Sequence, residues 1–261
     1  MWLPLLKRRP QFVRQLGFRM LYVRWLKAPA IRAGLFYVAV LVAIGVIGRS
    51  LLIGQAWGLL SAEIVLVALL AFYWGLESGE VSAKFIAIVA VLGAVAGLGR
   101  IPFAGIPNVQ PTTFIVIVSG FVLGPRAGFL VGSTAALTSN FFLGQGPWTP
   151  WQMVAWGLGG VVGGMIGGVL PRLGKGLLVV NFAWGYIFGW IMDLWVWTAF
   201  VSPLDWRSFV STCVASVWFD TFHAVGNIIF FLVFGSSLIK ILRRFRRKLS
   251  VTLISDSEVS V

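Results

Sequence analysis

The chain is a succession of apolar runs, each near or above bilayer-crossing length, separated by little other than glycine, proline and basic residues. A hydrocarbon core about 30 Å thick takes about 20 helical residues to cross. That pattern fixes the solvent before any motif is considered. With 59% of 261 residues hydrophobic and a mean hydropathy of +0.93, the chain cannot hide its apolar surface in one water-soluble core. Most of that surface must face lipid, or other helices within lipid. In lipid every backbone polar group must be satisfied internally, so the predicted class is an all-α membrane protein.

The pattern predicts about eight transmembrane helices, at 34–53, 57–76, 83–102, 112–124, 126–143, 151–170, 177–200 and 212–239. The apolar stretch 112–143 is too long for one span, and Gly124-Pro125-Arg126-Ala127-Gly128 interrupts it. Proline removes a backbone donor there, and the glycines permit a tight reversal. Residues 1–32 mix eight basic residues with Trp2, Phe12, Leu16, Met20, Val23 and Trp25, which predicts a basic amphipathic leader on the inner membrane surface. A disordered basic tail is the plainer alternative. Residues 33–78 then carry the first two spans, 79–241 the remaining six, and 242–261 a basic and then polar cytosolic tail.

The formal net charge of +13 raises nucleic acid as a partner, but the charges flank apolar spans. With eight spans, 18 of the 21 lysines and arginines fall on one side, leaving Arg49, Arg100 and Arg207 on the other. That bias predicts a multi-pass plasma-membrane protein with both termini cytoplasmic, its basic clusters drawn to anionic lipid rather than to nucleic acid. The first long apolar run begins near Leu35 with no small-residue cleavage site after it, so no cleavable signal peptide is expected. Cys213 is the single cysteine, which excludes an internal disulfide.

Two stretches carry packing signals. Ala83, Ala87, Ala90, Ala94 and Gly97 recur at helical spacing and make one stripe of small residues. Such a stripe lets another helix approach closely in lipid, either within the chain or on a separate membrane subunit. Gly157-Leu158-Gly159-Gly160-Val161-Val162-Gly163-Gly164-Met165-Ile166-Gly167-Gly168 repeats G-x-x-x-G in two registers. Tight intramolecular packing is the first reading, and a shifting bundle the second.

Ionisable and amide side chains inside spans are costly, which makes them candidates for a site. Asp220, His223 and Asn227 fall at i, i+3 and i+7 on one helical face, next to Thr221. Asp193 and Arg100 lie near the predicted outer ends of their spans. Asn108 and Gln110 occupy an outer loop, Asn140 closes a span, and Gln145 and Gln152 flank the next outer loop. Purely structural roles stand beside this: Asp220 paired with His223, and Arg100 paired with Asp193. The segment Gly144-Gln145-Gly146-Pro147-Trp148-Thr149-Pro150-Trp151 is rigid, aromatic and amide-bearing. It suits either an interfacial belt or a wall for a flat, partly apolar ligand. One His and one Asp make an incomplete metal set, so no metal is expected. Neither G-x-S-x-G nor H-E-x-x-H occurs. Gly168 to Lys175 has one residue too many for a phosphate loop, and Gly176 stands where Ser or Thr would hold magnesium. No catalytic residue and no cofactor is expected.

With these residues in hand, the chain resembles the substrate-binding S component of an energy-coupling factor (ECF) transporter. The resemblance covers roughly residues 83–240. It is carried by Ala83-x-x-x-Ala87 and Ala90-x-x-x-Ala94, by Pro107-Asn108-Val109-Gln110-Pro111, by the stretch Leu123 to Gly132, and by the stretch Ser139-Asn140 to Trp156. The Pro-Asn-Val-Gln-Pro and Gly-Gln-Gly-Pro-Trp-Thr-Pro-Trp segments are similar to a subgroup associated with cobalamin or related precursors. The resemblance implies a six-helix core that binds a vitamin from outside, with Phe103 to Thr113 as a lid. It implies that Ala83, Ala87, Ala90 and Ala94 dock on a coupling membrane subunit, which carries two cytosolic ATPases. Residues 1–78, with Glu63 in the second span, depart from the family pattern.

The substrate-binding set expected on this basis is Asn108, Gln110, Asn140, Gln145, Trp148, Trp151, Asp193, Asp220, His223 and Asn227. ATP hydrolysis falls to separate subunits, so the chain is expected to be a transport subunit and not an enzyme. Two other classes stay open from the residues alone. One is a standalone secondary transporter with Asp193, Asp220 and His223 relaying protons. The other is a membrane enzyme acting on lipid head groups through Asp220 and His223.

Overall fold

The computed structural model describes residues 83–249 together with Glu63, Leu66 and Leu69. The predicted leader, all but three positions of the two additional helices, and residues 250–261 lie outside the described residues. Within residues 83–249 six helices follow in order: α1 Ala83–Leu98, α2 Thr112–Leu123, α3 Pro125–Leu143, α4 Thr149–Val169, α5 Leu177–Phe200 and α6 Trp206–Leu249. Short 3₁₀ turns lie at Ile101–Phe103 and Gly174–Gly176, and there is no strand among the described residues. Among the described residues four segments are long and apolar enough to cross a bilayer: Ala83–Phe103, Thr149–Val169, Gly174–Phe200 and Trp206–Arg247. The chain is an all-helical membrane protein.

α2 has 12 residues, which reach only about 18 Å. It does not need to cross, because every residue from Thr112 to Val122 is buried. α3, α4 and α6 surround it, so its apolar side chains meet protein and not lipid. The break between α2 and α3 falls at Gly124, with φ 100° and ψ 168°. L side chains are strained at that φ, and Pro125 then opens α3 at a position where its missing N–H costs nothing.

The glycine run of α4 packs against this hairpin. Any Cβ at Gly160 would collide with the backbone of Gly128, and one at Gly120 with the Gly160 carbonyl. Three helices therefore meet at backbone contact, as small-residue motifs allow in lipid. Tight intramolecular packing is what the G-x-x-x-G repeats do.

The last helix is longer than its predicted span of 212–239. Asp205 starts it six residues earlier: its Oδ1 accepts the Ser208 N–H at 2.8 Å, a side-chain cap for an orphan helix donor. At the other end the basic residues continue the helix past the apolar run. Arg243 Nη2 donates to the Pro171 carbonyl at 2.8 Å and Arg246 Nη1 to the Val122 carbonyl at 3.1 Å. With 44 residues, α6 runs about 66 Å, more than twice a hydrocarbon core.

Along α1 the small-residue stripe divides. Gly97 packs within the chain, where a Cβ would stand 2.8 Å from the Ala135 carbonyl oxygen of α3. Ala83, Ala87 and Ala90 are exposed and Ala94 is half-buried, while Val89, Leu92, Gly93 and Ala96 face the bundle. The five-membered stripe is therefore exposed at its start and buried against α3 at Gly97.

Candidate functional site

The loop from α1 to α2 is folded onto α6. Phe103 meets Phe230 edge to face at 5.1 Å between ring centroids. Asn108 donates from Nδ2 to the Phe219 carbonyl at 3.1 Å, from a backbone with φ 55°, which asparagine tolerates better than most residues. Val109 lies against Gly226, where an added Cβ would stand 3.2 Å from its Cγ1.

Arg100 holds the base of this loop to α3. Its Nε donates to Gln110 Oε1 at 2.7 Å. Its Nη1 donates to Ser139 Oγ at 2.6 Å and to Asn140 Oδ1 at 3.1 Å. The guanidinium carbon sits 4.7 Å from the Trp156 ring centroid, within cation–π range. Each of these partners is neutral. Asn140 extends the network, donating from Nδ2 to Thr149 Oγ1 at 2.9 Å and Gln152 Oε1 at 2.8 Å. The Thr149 hydroxyl in turn donates to Gln145 Oε1 at 2.9 Å.

Trp156 joins this network to the bundle interior. Its indole Nε1 donates to Thr113 Oγ1 at 2.9 Å, and Thr113 Oγ1 lies 2.7 Å from His223 Nε2. Indole nitrogen only donates, so the threonine oxygen accepts from it, and the tautomer of His223 sets which partner donates in the second bond. Phe188 wedges between the two rings, 4.6 Å from Trp156 and 4.9 Å from His223. Thr113, Trp156 and His223 are fully buried, and His223 Nδ1 has no hydrogen-bond partner.

Asp193 and Asp220 form a second cluster between α5 and α6. Ser216 Oγ lies 2.7 Å from Asp193 Oδ2 and 3.1 Å from Asp220 Oδ2. One hydroxyl proton serves one carboxylate at a time. Gly189 makes the room, since a Cβ there would collide with the Asp220 carboxylate. Two expected pairings are thereby corrected. Asp220 does not pair with His223, which turns to Thr113 on α2. Arg100 does not pair with Asp193, because amides and a hydroxyl on α3 and the loop take its donors.

The ten sequence-predicted residues thus divide. Gln110 and Asn140 touch Arg100, Gln145 stands two bonds beyond Asn140 through Thr149, and His223 connects through Thr113 and Trp156. Asn108 tethers the loop. Asp193 and Asp220 share Ser216 elsewhere. Asn227 lies deeper, donating to the Asn181 carbonyl at 3.1 Å. Trp148 covers Gly146 and is 37% exposed, so it reads as an interfacial ring more than a wall. Trp151 is half-buried, and its buried indole N–H finds no acceptor. Sequence reasoning missed Thr113, Ser139, Trp156 and Ser216 as members. Short hydroxyls give no signal in an apolar run, and one tryptophan among 13 does not stand out by sequence.

An open groove of about 530 Å³ runs between α5 and α6, lined by Trp190, Leu194, Val210 and Val214 among others. Its nearly wholly apolar walls suit lipid chains and offer little to orient a polar ligand. The Arg100 network has the convergent polar groups that a small-molecule site needs.

Arg100 and several amide side chains thus gather beneath one interhelical loop of a helical membrane bundle, and no group of three or more His, Cys, Asp or Glu side chains that could hold a metal ion exists among its described residues. The family model for the ECF transporter substrate-specific component matches residues 84–242, more than half of the chain, and the chain belongs to that family. The UPF0397 protein of Aliivibrio fischeri strain MJ11 is 27% identical over 192 residues, covering 67% of this chain and 97% of that protein. The UPF0397 proteins of Vibrio atlanticus and Aliivibrio salmonicida are 30% and 33% identical over 102 and 101 residues, covering 37% of this chain and about half of each relative. No solved structure matches the chain. Membership makes the chain a membrane-embedded substrate-binding subunit of an ECF importer, associated with the ECF membrane and ATPase subunits, and not an enzyme.

Proposed function

We propose that the chain captures a vitamin from outside the cell, with cobalamin or a corrinoid precursor as the first candidate. The observation that carries this reading is the Arg100 network, which links the loop residue Gln110 to Asn140 and Trp156. The loop Phe103 to Thr113 acts as the lid. Asn108, Gln110, Asn140, Gln145 and His223 orient the ligand, and Trp151 and Trp148 border its entrance. Asp193, Asp220 and Asn227 contribute from α5 and α6 once the lid has moved. The protein sits in the plasma membrane with both termini cytoplasmic, and residues 1–78 add a leader and two helices to the core. Ala83, Ala87, Ala90 and Ala94 dock on the coupling subunit, and the exposure of the first three supports this.

The test is binding of radiolabelled cobalamin and other vitamins to the purified protein. The chain alone is expected to bind tightly and to transport only with the coupling subunit, its ATPases and ATP. Folded protein that binds no vitamin would end the proposal. Uptake into proteoliposomes without any ATPase would replace it with a secondary transporter.

A further inference from the structure

We infer that the Arg100 cluster receives an anionic oxygen group, a carboxylate or a phosphate, carried by the captured molecule. The inference rests on the capture reading above and narrows its substrate class.

Arg100 brings a permanent positive charge to the end of a membrane-crossing segment. Its acceptors are Gln110, Ser139 and Asn140, all neutral, and its ring contact is Trp156. Nε and Nη1 are used in these bonds, and Nη2 has none among the described residues. An arginine removed from bulk water is normally matched by a carboxylate or phosphate, whose geometry its planar fork fits. Among the described residues no carboxylate is bonded to Arg100. Asp193 and Asp220 are occupied with Ser216 on α5 and α6.

A neighbouring helix end has the same polarity. α2 begins beside Arg100 at Pro111 with no side-chain cap. Its first ladder bond is Ile115 N–H to the Pro111 carbonyl at 3.0 Å, so the amides of Thr112, Thr113 and Phe114 precede any intrahelical partner. All three residues are buried. An uncapped helix N-terminus concentrates N–H donors and positive dipole, which favours an anion. His223 is anchored through Nε2 to Thr113, within that first turn, and its Nδ1 is buried without a partner. Trp156 ties the two features together, lying under Arg100 and donating to Thr113. A cation placed here would meet one full positive charge and a positive helix end. An anion would meet a free guanidinium nitrogen and unbonded amides.

The experiment measures equilibrium binding to the purified full chain in lipid nanodiscs, using matched probes. The pairs are nicotinate and nicotinamide, pantothenate and pantothenol, biotin and biotinamide, and pyridoxal phosphate and pyridoxal, with cobalamin as an unpaired probe. Thiamine serves as a cationic probe. At least one anionic member is expected to bind about 10- to 100-fold more tightly than its partner, the range for a hydrogen bond to a charged group. Arg100→Gln is expected to bring that ratio close to one by weakening the anionic member, and Arg100→Lys to retain part of it. The wild-type ratio needs no variant to fold. Tight binding of a neutral or cationic probe with no preference for anions overturns this inference and leaves the capture reading standing. So does an unchanged ratio in folded Arg100→Gln. No binding by any probe overturns both.

Discussion

Thr113 shows how much one hydroxyl can organise inside a bilayer. It accepts from Trp156 and faces His223 at 2.7 Å, so three helices meet at one oxygen. Thr113→Val keeps the shape and removes both bonds, stranding a buried indole N–H and an imidazole nitrogen. Each orphaned group costs about 1–3 kcal/mol, so a clear drop in melting temperature is expected, with Thr113→Ser close to wild type. Equal melting of the Val and Ser variants would remove Thr113 from this role. Gly189 poses the converse case, where absence of a side chain is the requirement. Gly189→Ala drives a methyl into the Asp220 carboxylate and is expected to cost about 1–3 kcal/mol by overpacking. Adding Asp220→Ala should recover much of that loss, and a double-mutant cycle that shows simple additivity would refute the contact. These residues also mark what could be read from the chain alone. Asp220, His223, Asn140 and Gln110 were legible because charge and amide groups are conspicuous among apolar residues. Their partners were not, because helical spacing gives the face of a side chain and not which neighbouring helix it meets. That is why Asp220 and His223, three residues apart, turn to different helices.

At the level of elements, the α2–α3 hairpin and α4 depend on backbone meeting backbone. Gly160→Val places two methyls and a methine where the Gly128 carbonyl stands. The expected result is loss of the folded bundle, seen as aggregation on size-exclusion chromatography, whereas Gly168→Ala, where an added Cβ meets nothing within 4 Å, should purify normally. Element existence was legible here because hydropathy and the Gly124-Pro125 interruption are local signals. The bounds of α1 to α5 follow the predicted spans closely. α6 escaped at both ends for one reason: apolar composition reports where lipid begins, while a helix ends where its hydrogen bonds are capped or frayed. Asp205 supplies the start, and arginines that reach the Pro171 and Val122 carbonyls carry the other end beyond the apolar run.

For the whole molecule, the distribution of exposed small residues separates folding from function. Val89, Leu92, Gly93, Ala96 and Gly97 bind α1 to the bundle, so Ala83, Ala87 and Ala90 are left over on its outer face. Exposed positions tolerate substitution, commonly within about 0.5 kcal/mol, and lipid accepts leucine as readily as alanine. Ala87→Leu with Ala90→Leu is therefore expected to leave expression, melting and vitamin binding unchanged. Helix association in lipid depends on close backbone approach, which two leucines on a small-residue face prevent. The same variant is expected to lose co-purification with the coupling subunit and to abolish ATP-dependent uptake by the reconstituted complex. Normal assembly of the double variant would move the docking surface elsewhere on the bundle. Loss of vitamin binding together with assembly would instead show that α1 is held by this face, contrary to its exposure.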